Sequence, residues 1–281
     1  MRAFMEPTPS PDEPPQRLSW SGMTHVGRLR SNNEDAFLAL TYNDREVRYL
    51  GKTGASCFDD GDFVFAVSDG MGGANAGEFA SRIAVERITR IMPRLYRLAA
   101  QNLGAGVSDA LEDIFHQVHA ELGRMGRFYE ECAGMGATLS MAVFCPGWMH
   151  FCHIGDSRIY YLPAGGGMRQ VSHDHSHVGW LRREGKINER EARSHPRKNV
   201  LNQALGAGHQ ILSPQFGSVS CHSGDRFLLC TDGIVDGLWD SRLEEYASTP
   251  AAQPKAFRIV EQAVAESGRD NCTAVLVEFA A

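Results

Sequence analysis

Two stretches of the chain share one design. FAVSDG (65–70) and LLCTDG (228–233) each run an apolar segment into Asp and then Gly. They set Asp69 and Asp232 where a buried strand ends. Asp270 stands just ahead of the apolar run NCTAVLV, and Asp156 sits in a Gly-Asp pair between two strand-like runs. Glu34 and Asp35 open a further run, EDAFLAL (34–40). In antiparallel sheets the end of one strand and the start of its neighbour share an edge, so these acids are expected to converge on one rim. Two carboxylates about 4 Å apart repel by about 4 kcal/mol at an effective dielectric of ~20. A group of three or four therefore demands cations or raised pKa values. All-oxygen ligands favour hard ions such as Mg2+ and Mn2+. Asp-Gly after a strand is also a common turn, and one occurrence would say no more than that. Two matched occurrences, with strand-edge acids at 156 and 270, favour a site.

Acids converge only if strands carry them to a common edge. LSWSGMTHVG (18–27), EDAFLAL (34–40) and FVFAVS (63–68) read as strands, and the polar, glycine-bearing stretch 48–62 as a connection. Residues 77–100 read as a helix with Phe79, Ile83, Ile88, Ile91, Leu95 and Leu98 near one face. Residues 108–123 read as a second, with Leu111, Phe115, Val118 and Leu122 aligned and Ser108 as N-cap. The short linker QNLGAGV predicts that the two pack antiparallel. Strands return at 137–144, 148–154 and 157–163, with Gly155–Asp156 read as a hairpin turn. Residues 174–199 read as mostly helical and basic, 216–220 and 226–231 as strands, 254–267 as a helix and 271–279 as a last strand. Strands in runs, separated by helix pairs, predict an α+β fold with two largely antiparallel stacked sheets and helices outside, in one domain over 18–281. Residues 1–17 hold five of the twelve prolines and read as a disordered tail.

Composition narrows the chemistry. The 281 residues carry a formal net charge of −6, without the basic excess of a general nucleic-acid binder. Seven cysteines form no C-x-x-C pair and mostly sit inside apolar runs. That predicts reduced thiols in a cytoplasmic protein rather than disulfides or thiolate zinc. No apolar run reaches the ~18 residues of a membrane span, and no secretory h-region opens the chain.

In chain order, GRLRSNNEDAF (27–37), FAVSDGMGGANAGEFAS (65–81), GATLSMAVF (136–144), IGDSRIYYL (154–162), SHDHS (172–176), NVLNQALG (199–206), LLCTDGIVDGL (228–238) and DNCTAVLVEF (270–279) resemble the motifs of one family. It is the metal-dependent protein phosphatases of type 2C, the PPM family, in their bacterial form. The resemblance implies an α/β/β/α sandwich that hydrolyses phosphoserine and phosphothreonine with two Mn2+ or Mg2+ ions and a third, weaker ion site. By position, Asp69 would bridge two metals, Gly70 would offer its carbonyl, and Asp232 and Asp270 would complete the first site. Glu34 and Asp35 would act directly or through water. Asp156 with Asp232 would form the third site, and Arg30 would grip the phosphate. A metal pair lowers the pKa of water and neutralises the transferring phosphoryl group, so no covalent phosphoenzyme is required. The implied partners are phosphorylated Ser/Thr proteins, substrates of a cognate bacterial Ser/Thr kinase, met by a monomer. Some eukaryotic relatives carry a histidine after Asp-Gly, proposed as general acid. Met71 stands there in this chain, and a thioether donates no proton. His153 and His175 are candidates, and no general acid is assigned. The rival reading is a non-catalytic phosphoprotein-binding module on the same fold. It would go with missing acids, whereas Asp69, Asp232 and Asp270 are all present.

Three other signals compete. Cys152 to Arg158 fits C-x-x-G-x-x-R, the loop of cysteine-dependent tyrosine phosphatases, but that chemistry needs a helix after the arginine, and IYYL follows instead. His173, His175 and His177 have zinc-capable spacing without an apparent fourth ligand, which favours a structural role. Residues 182–198 hold seven basic and three acidic residues, in the region that forms a flap (174–209) in the family. Arg182, Arg183 and Lys186 are expected either to select acidic or phosphorylated segments or to form a solvated face.

Overall fold

A strand alternates its side chains between two faces, so a continuous apolar run is stable only where both faces are covered. The computed structural model, which describes residues 17–72, 76–100, 107–208 and 211–280, meets that demand with two stacked sheets. The strands are β1 (Arg17–His25), β2 (Asp35–Tyr42), β3 (Val47–Tyr49), β4 (Thr53–Cys57), β5 (Asp62–Met71), β6 (Gly136–Ala137) and β7 (Leu139–Cys145). After them come β8 (Trp148–Ile154), β9 (Arg158–Leu162), β10 (Arg169–Gln170), β11 (Leu205–Gly206), β12 (Gln215–Ser220), β13 (Arg226–Cys230) and β14 (Cys272–Phe279). One sheet runs β10-β9-β13-β14-β1-β4 and the other β11-β6-β5-β7-β8-β12, with β2 also on β5 and β3 on β2. All pairings among the described residues are antiparallel.

The alternation assigns each side chain its layer. Phe63, Phe65 and Val67 of β5 point between the sheets, where Phe144, Phe227, Leu229, Val275, Val277 and Phe279 join them. Their neighbours Val64 and Ala66 point outward, under α1 (Ala76–Ala100) and α2 (Val107–Phe128). On the opposite outer face, Leu228, Cys230, Ala274 and Leu276 pack under α5 (Asp232–Gly237), α6 (Asp240–Ser248) and α7 (Lys255–Glu266). The result is the expected α/β/β/α sandwich. The short helices α3 (His177–Arg183) and α4 (Glu189–Ser194) form the predicted basic segment, each opened by a side-chain cap, Ser176 and Asn188.

Four local expectations need correction. The connection 48–62 contains β4, which pairs with β1 along the sheet edge. Trp20 of β1 donates its indole N–H to the Gly51 carbonyl there at 2.9 Å. Gly155–Asp156 does not close a hairpin: β8 and β9 lie in different sheets, and the pair is a crossover between them. α1 buries Ala76, Ala80, Ala84, Ile88 and Ile91, while Phe79 faces out at 45% exposure. The side chains of Leu95 and Leu98 lie outside the described set. Ser108 falls inside the first turn of α2, which opens at Val107. α1 and α2 do pack together, tied by Arg87 to Glu121 at 3.0 Å. The linker 101–106 and residues 1–16 lie outside the described residues. No helix among the described residues is long and apolar enough to cross a membrane.

Phe227 sits at the centre of the middle layer, with ring centroids 5.3 Å from Phe144 and 5.1 Å from Tyr161. Phe227→Ala is expected to lower the unfolding free energy by about 3–5 kcal/mol in urea titrations. Truncating Phe128, which is 73% exposed, is expected to change it by no more than about 0.5 kcal/mol.

Candidate metal centre

The same alternation delivers the acids. Asp69 continues the Phe63, Phe65, Val67 series and so faces the opposite sheet at the rim. Asp35 pairs directly across from it in β2. From the other sheet, Asp232 follows β13 and opens α5, and Asp270 precedes β14. Asp156 arrives on the crossover, where Gly155 adopts φ +106°, a conformation that favours glycine. Carboxylate oxygens of Asp69, Asp156 and Asp232 lie within 4.8 Å of one another. Three acids from three distant segments thus meet, as the strand-end pattern predicts.

Asp270 stands outside that trio. It accepts a hydrogen bond from the Arg30 guanidinium at 2.8 Å. Asp35 lies behind the trio, buried, with Thr231 donating to its carboxylate at 2.7 Å. Glu34 and Gly70 meet at α1. A Cβ on Gly77 would come within 2.5 Å of the Glu34 carboxylate and 2.8 Å of the Gly70 carbonyl oxygen. A Cβ on Gly70 would collide with the Gly77 carbonyl. The two glycines let helix and strand approach closely enough to set these two oxygens side by side.

Two holding residues, Thr138 and Asn271, gave no signal in the sequence beyond lying in the motifs. Thr138 accepts from the Asp69 amide at 2.9 Å, its own amide donates to the Asp69 carbonyl at 2.8 Å, and its hydroxyl pairs with Ser157 at 2.7 Å. It ties Asp69 to the crossover that carries Asp156. Asn271 is buried and uses its whole amide. It accepts from the Glu34 N–H at 2.7 Å and donates to the carbonyls of Val26 at 2.8 Å and Asn32 at 2.9 Å. It thereby clamps the loop that carries Arg30. His175 accepts from the Gly155 N–H at 3.1 Å and stacks on His153, with ring centroids 5.1 Å apart.

Electrostatics follow from this crowding. Burial, then the neighbouring acids, hold Asp69 and Asp232 well above the usual carboxylate range. Burial pushes Asp35 up to about 7, and burial with Asp174 nearby pushes Asp156 up to about 7. Burial also raises Glu34. The Asp270 hydrogen bond raises Arg30, so it stays charged. Burial drives His153 down to about 3 and His175 down to about 4, which leaves both rings neutral near pH 7. In Asp174, burial is outweighed by Arg158, which grips it at 2.7 Å, and by Gln170, so its carboxyl titrates below the usual range.

The competing signals resolve structurally. Cys152 is fully buried, and burial raises its thiol far above the usual range, so it is no nucleophile. All seven cysteines are free. His177 stacks on Trp180 rather than joining His173 and His175. Among the described residues, the acid trio is the group with metal-holding geometry. In the flap, Arg182 pairs with Asp240, Lys198 with Asp236 at 2.5 Å, and Arg193 with Glu189 at 3.2 Å. Arg182 and Lys198 thereby fasten the flap to α5 and α6, while Lys186 covers the Trp180 ring at 3.9 Å. Arg183 remains exposed.

The donor set fits hard divalent cations: clustered carboxylates, an available carbonyl, and raised pKa values that a bound cation would lower. An acid-lined rim between two stacked sheets, each backed by helices, defines a class of metal-centred α/β/β/α proteins. The profile of the family "Protein phosphatase 2C" matches residues 52–278, and the chain belongs to that family. The serine/threonine protein phosphatase PstP of Mycobacterium tuberculosis is 30% identical over 261 residues, 93% of this chain but 45% of PstP, so the chain spans under half of that relative. The serine/threonine phosphatase stp of Listeria innocua is 31% identical over 257 residues, 91% of this chain and 93% of that protein. The crystal structure of M. tuberculosis PstP/Ppp matches with a TM-score of 0.74 at 28% identity, over 94% of this chain and 100% of that one. A structure of the PstP catalytic domain with two manganese ions matches with a TM-score of 0.69 at 26% identity, over 94% of this chain and 100% of that one.

The raised carboxyl pKa values carry a sign. Asp35 and Asp156, moved from 3.8 to about 7, favour the fold while protonated and lose that contribution as pH rises through 7. A Mn2+ ion held by these carboxylates would replace those protons, so its stabilisation should grow with pH. The thermal shift on adding Mn2+ is expected to be larger at about pH 8 than at about pH 5.5 in calorimetry. Equal shifts would mean that these carboxylates do not hold the ion.

Proposed function

We propose that this chain is a protein serine/threonine phosphatase that hydrolyses phosphoserine and phosphothreonine by direct attack of water, without a covalent phosphoenzyme. The observation that carries the reading is the trio Asp69, Asp156 and Asp232, whose oxygens lie within 4.8 Å in an acid-lined cleft. Two ions, Mn2+ or Mg2+, would be held by Asp69, the Gly70 carbonyl, Asp232 and Asp270, with Glu34 and Asp35 acting directly or through water. A third would use Asp156 and Asp232. When bound, the ions supply Lewis acidity that activates water near neutral pH and positive charge that neutralises the phosphoryl oxygens.

The remaining work belongs to the chain's own groups. Arg30 is half-exposed and uses one N–H on Asp270, which leaves other donors of its fork for the phosphate. Asn271 fixes the loop from which Arg30 reaches. Asp35, held by Thr231, adds negative charge behind the cluster. His153 is engaged at both ring nitrogens, with Ser140 at 2.8 Å and with the Gly155 and His173 carbonyls at 3.2 Å. Neither it nor His175 is an imidazolium near neutral pH, and Met71 carries no donor, so the leaving-group proton is assigned to solvent. The substrates are phosphorylated Ser/Thr proteins of a cognate bacterial kinase, met in the cytoplasm by a monomer. The non-catalytic alternative is disfavoured because the acids are present and converge.

Phosphate release from a phosphothreonine peptide is expected to require Mn2+ or Mg2+ and to stop with EDTA. Asp69→Asn and Asp232→Asn should each lower kcat by about 100-fold or more. Arg30→Ala removes charge-assisted bonds and should raise KM by about tenfold or more. Metal-independent turnover, or full activity in both aspartate variants, would refute the assignment.

A further inference from the structure

Helical spacing groups Phe79 with the buried side chains of α1, yet its ring is 45% exposed. Across from it, Tyr129 just beyond α2 is 51% exposed. The two rings stand at a groove of about 750 Å³, floored by Met125 and Cys132 and reaching Asn32. A pocket of several hundred cubic ångströms with apolar lining is of ligand-binding size. Three exposed tryptophans are, by contrast, covered by partners. Lys186 lies over Trp180 at 3.9 Å, Arg193 over Trp239 at 4.1 Å, and His150 stacks on Trp148 at 6.2 Å. Phe79 and Tyr129 stack on no ring or cation among the described residues.

Two of the groove's lining residues adjoin segments that carry the metal centre. Asn32 lies two residues beyond Arg30, and its carbonyl is held at 2.9 Å by Asn271, next to the Asp270 that binds Arg30. At the other wall, Ala76 precedes Gly77, which abuts the Glu34 carboxylate. A phosphoresidue seated at Arg30 would lead its own chain into this groove on the Glu34 side, away from the flap fastened at Asp236 and Asp240. Charge indicates what fits. Among the described residues that line the groove, Glu78 and Glu131 face one cation, Arg82, which is paired with Glu78 at 3.7 Å. The surplus is negative, which disfavours a second acidic group and suits an apolar residue beside a basic one.

We propose that the groove between the start of α1 and the end of α2 is a specificity site that receives an apolar side chain of the substrate polypeptide, flanked by Lys or Arg, close to the phosphoresidue. The inference rests on the phosphatase reading above. The occupant is the phosphoprotein itself rather than a second copy of this chain, because the groove opens from the loop that carries the phosphate-binding arginine. Burying one large apolar side chain there gains roughly tenfold or more in kcat/KM.

The test uses the whole chain with Mn2+, para-nitrophenyl phosphate, and phosphothreonine peptides carrying a single Leu at successive positions on either side of the phosphoresidue. One Leu position should raise kcat/KM about tenfold over the all-Ser peptide, and Lys beside it should raise the rate further relative to Glu. The doubly substituted variant F79S/Y129S should lose that Leu preference and keep para-nitrophenyl phosphate turnover within about twofold, since both rings are already exposed. Three outcomes would overturn the groove: no Leu position preferred by the wild type, a preference that survives in the variant, or equal losses on both substrates. So would a concentration-dependent dimer in sedimentation that the same variant dissolves. Absence of turnover on every substrate would instead remove the phosphatase reading on which the groove depends.

Discussion

Mutual repulsion among carboxylates governs this molecule. Asp69, Asp156 and Asp232 are forced within 4.8 Å, and Asp35 is buried directly behind. Such a cluster persists only where the rest of the structure over-determines it, or where protons or cations relieve it. The sandwich supplies the first condition. The middle layer of aromatic rings fixes the two sheets against each other, and the rims carry the acids wherever the sheets go. Thr138 then ties Asp69 to Ser157 of the crossover, and Asn271 ties the start of β14 to the 26–34 loop. The site is an edge effect of the core.

Much of this was legible because the relevant signals are local. Apolar runs with period two give strands, and an acid at the end of such a run lies at a sheet edge by necessity. Asp69, Asp156 and Asp232 could therefore be named from spacing. What stayed illegible is relational. Nothing in CHIGDSRIYYL says whether the second strand returns to the first strand's sheet or crosses to the other, so Gly155–Asp156 read as a hairpin. Thr138 and Asn271 carry no periodic signature, since their value lies in partners some 70 and 240 residues away in sequence. Phe79 was misplaced for a similar reason. Periodicity identifies a helix stripe, but the close approach at Gly70 and Gly77 rotates small residues onto the sheet. The edge strand β4 needed only backbone pairing, and its polar sequence concealed it.

The flap shows where its charges go. Seven basic residues in 182–198 suggest either a surface for acidic segments or a solvated face. In the fold, Arg182 and Lys198 are spent on Asp240 and Asp236 and hold the flap to the body. The electrostatic surplus left facing outward is smaller than composition implies.

The crossover at Gly155–Asp156 has a mechanical corollary. Asp69 rides on one sheet, Asp232 follows the other, and Asp156 spans the seam. The separation of these oxygens is then a reading of the gap between the sheets, as the jaws of a calliper report the thickness of what they enclose. What they enclose is the layer of Phe144, Phe227 and Phe279. An ion held there would have to match the jaw opening. The choice between a small, rigidly octahedral cation and a larger, more tolerant one would then be tuned by volume changes in a hydrophobic core that does not touch the site.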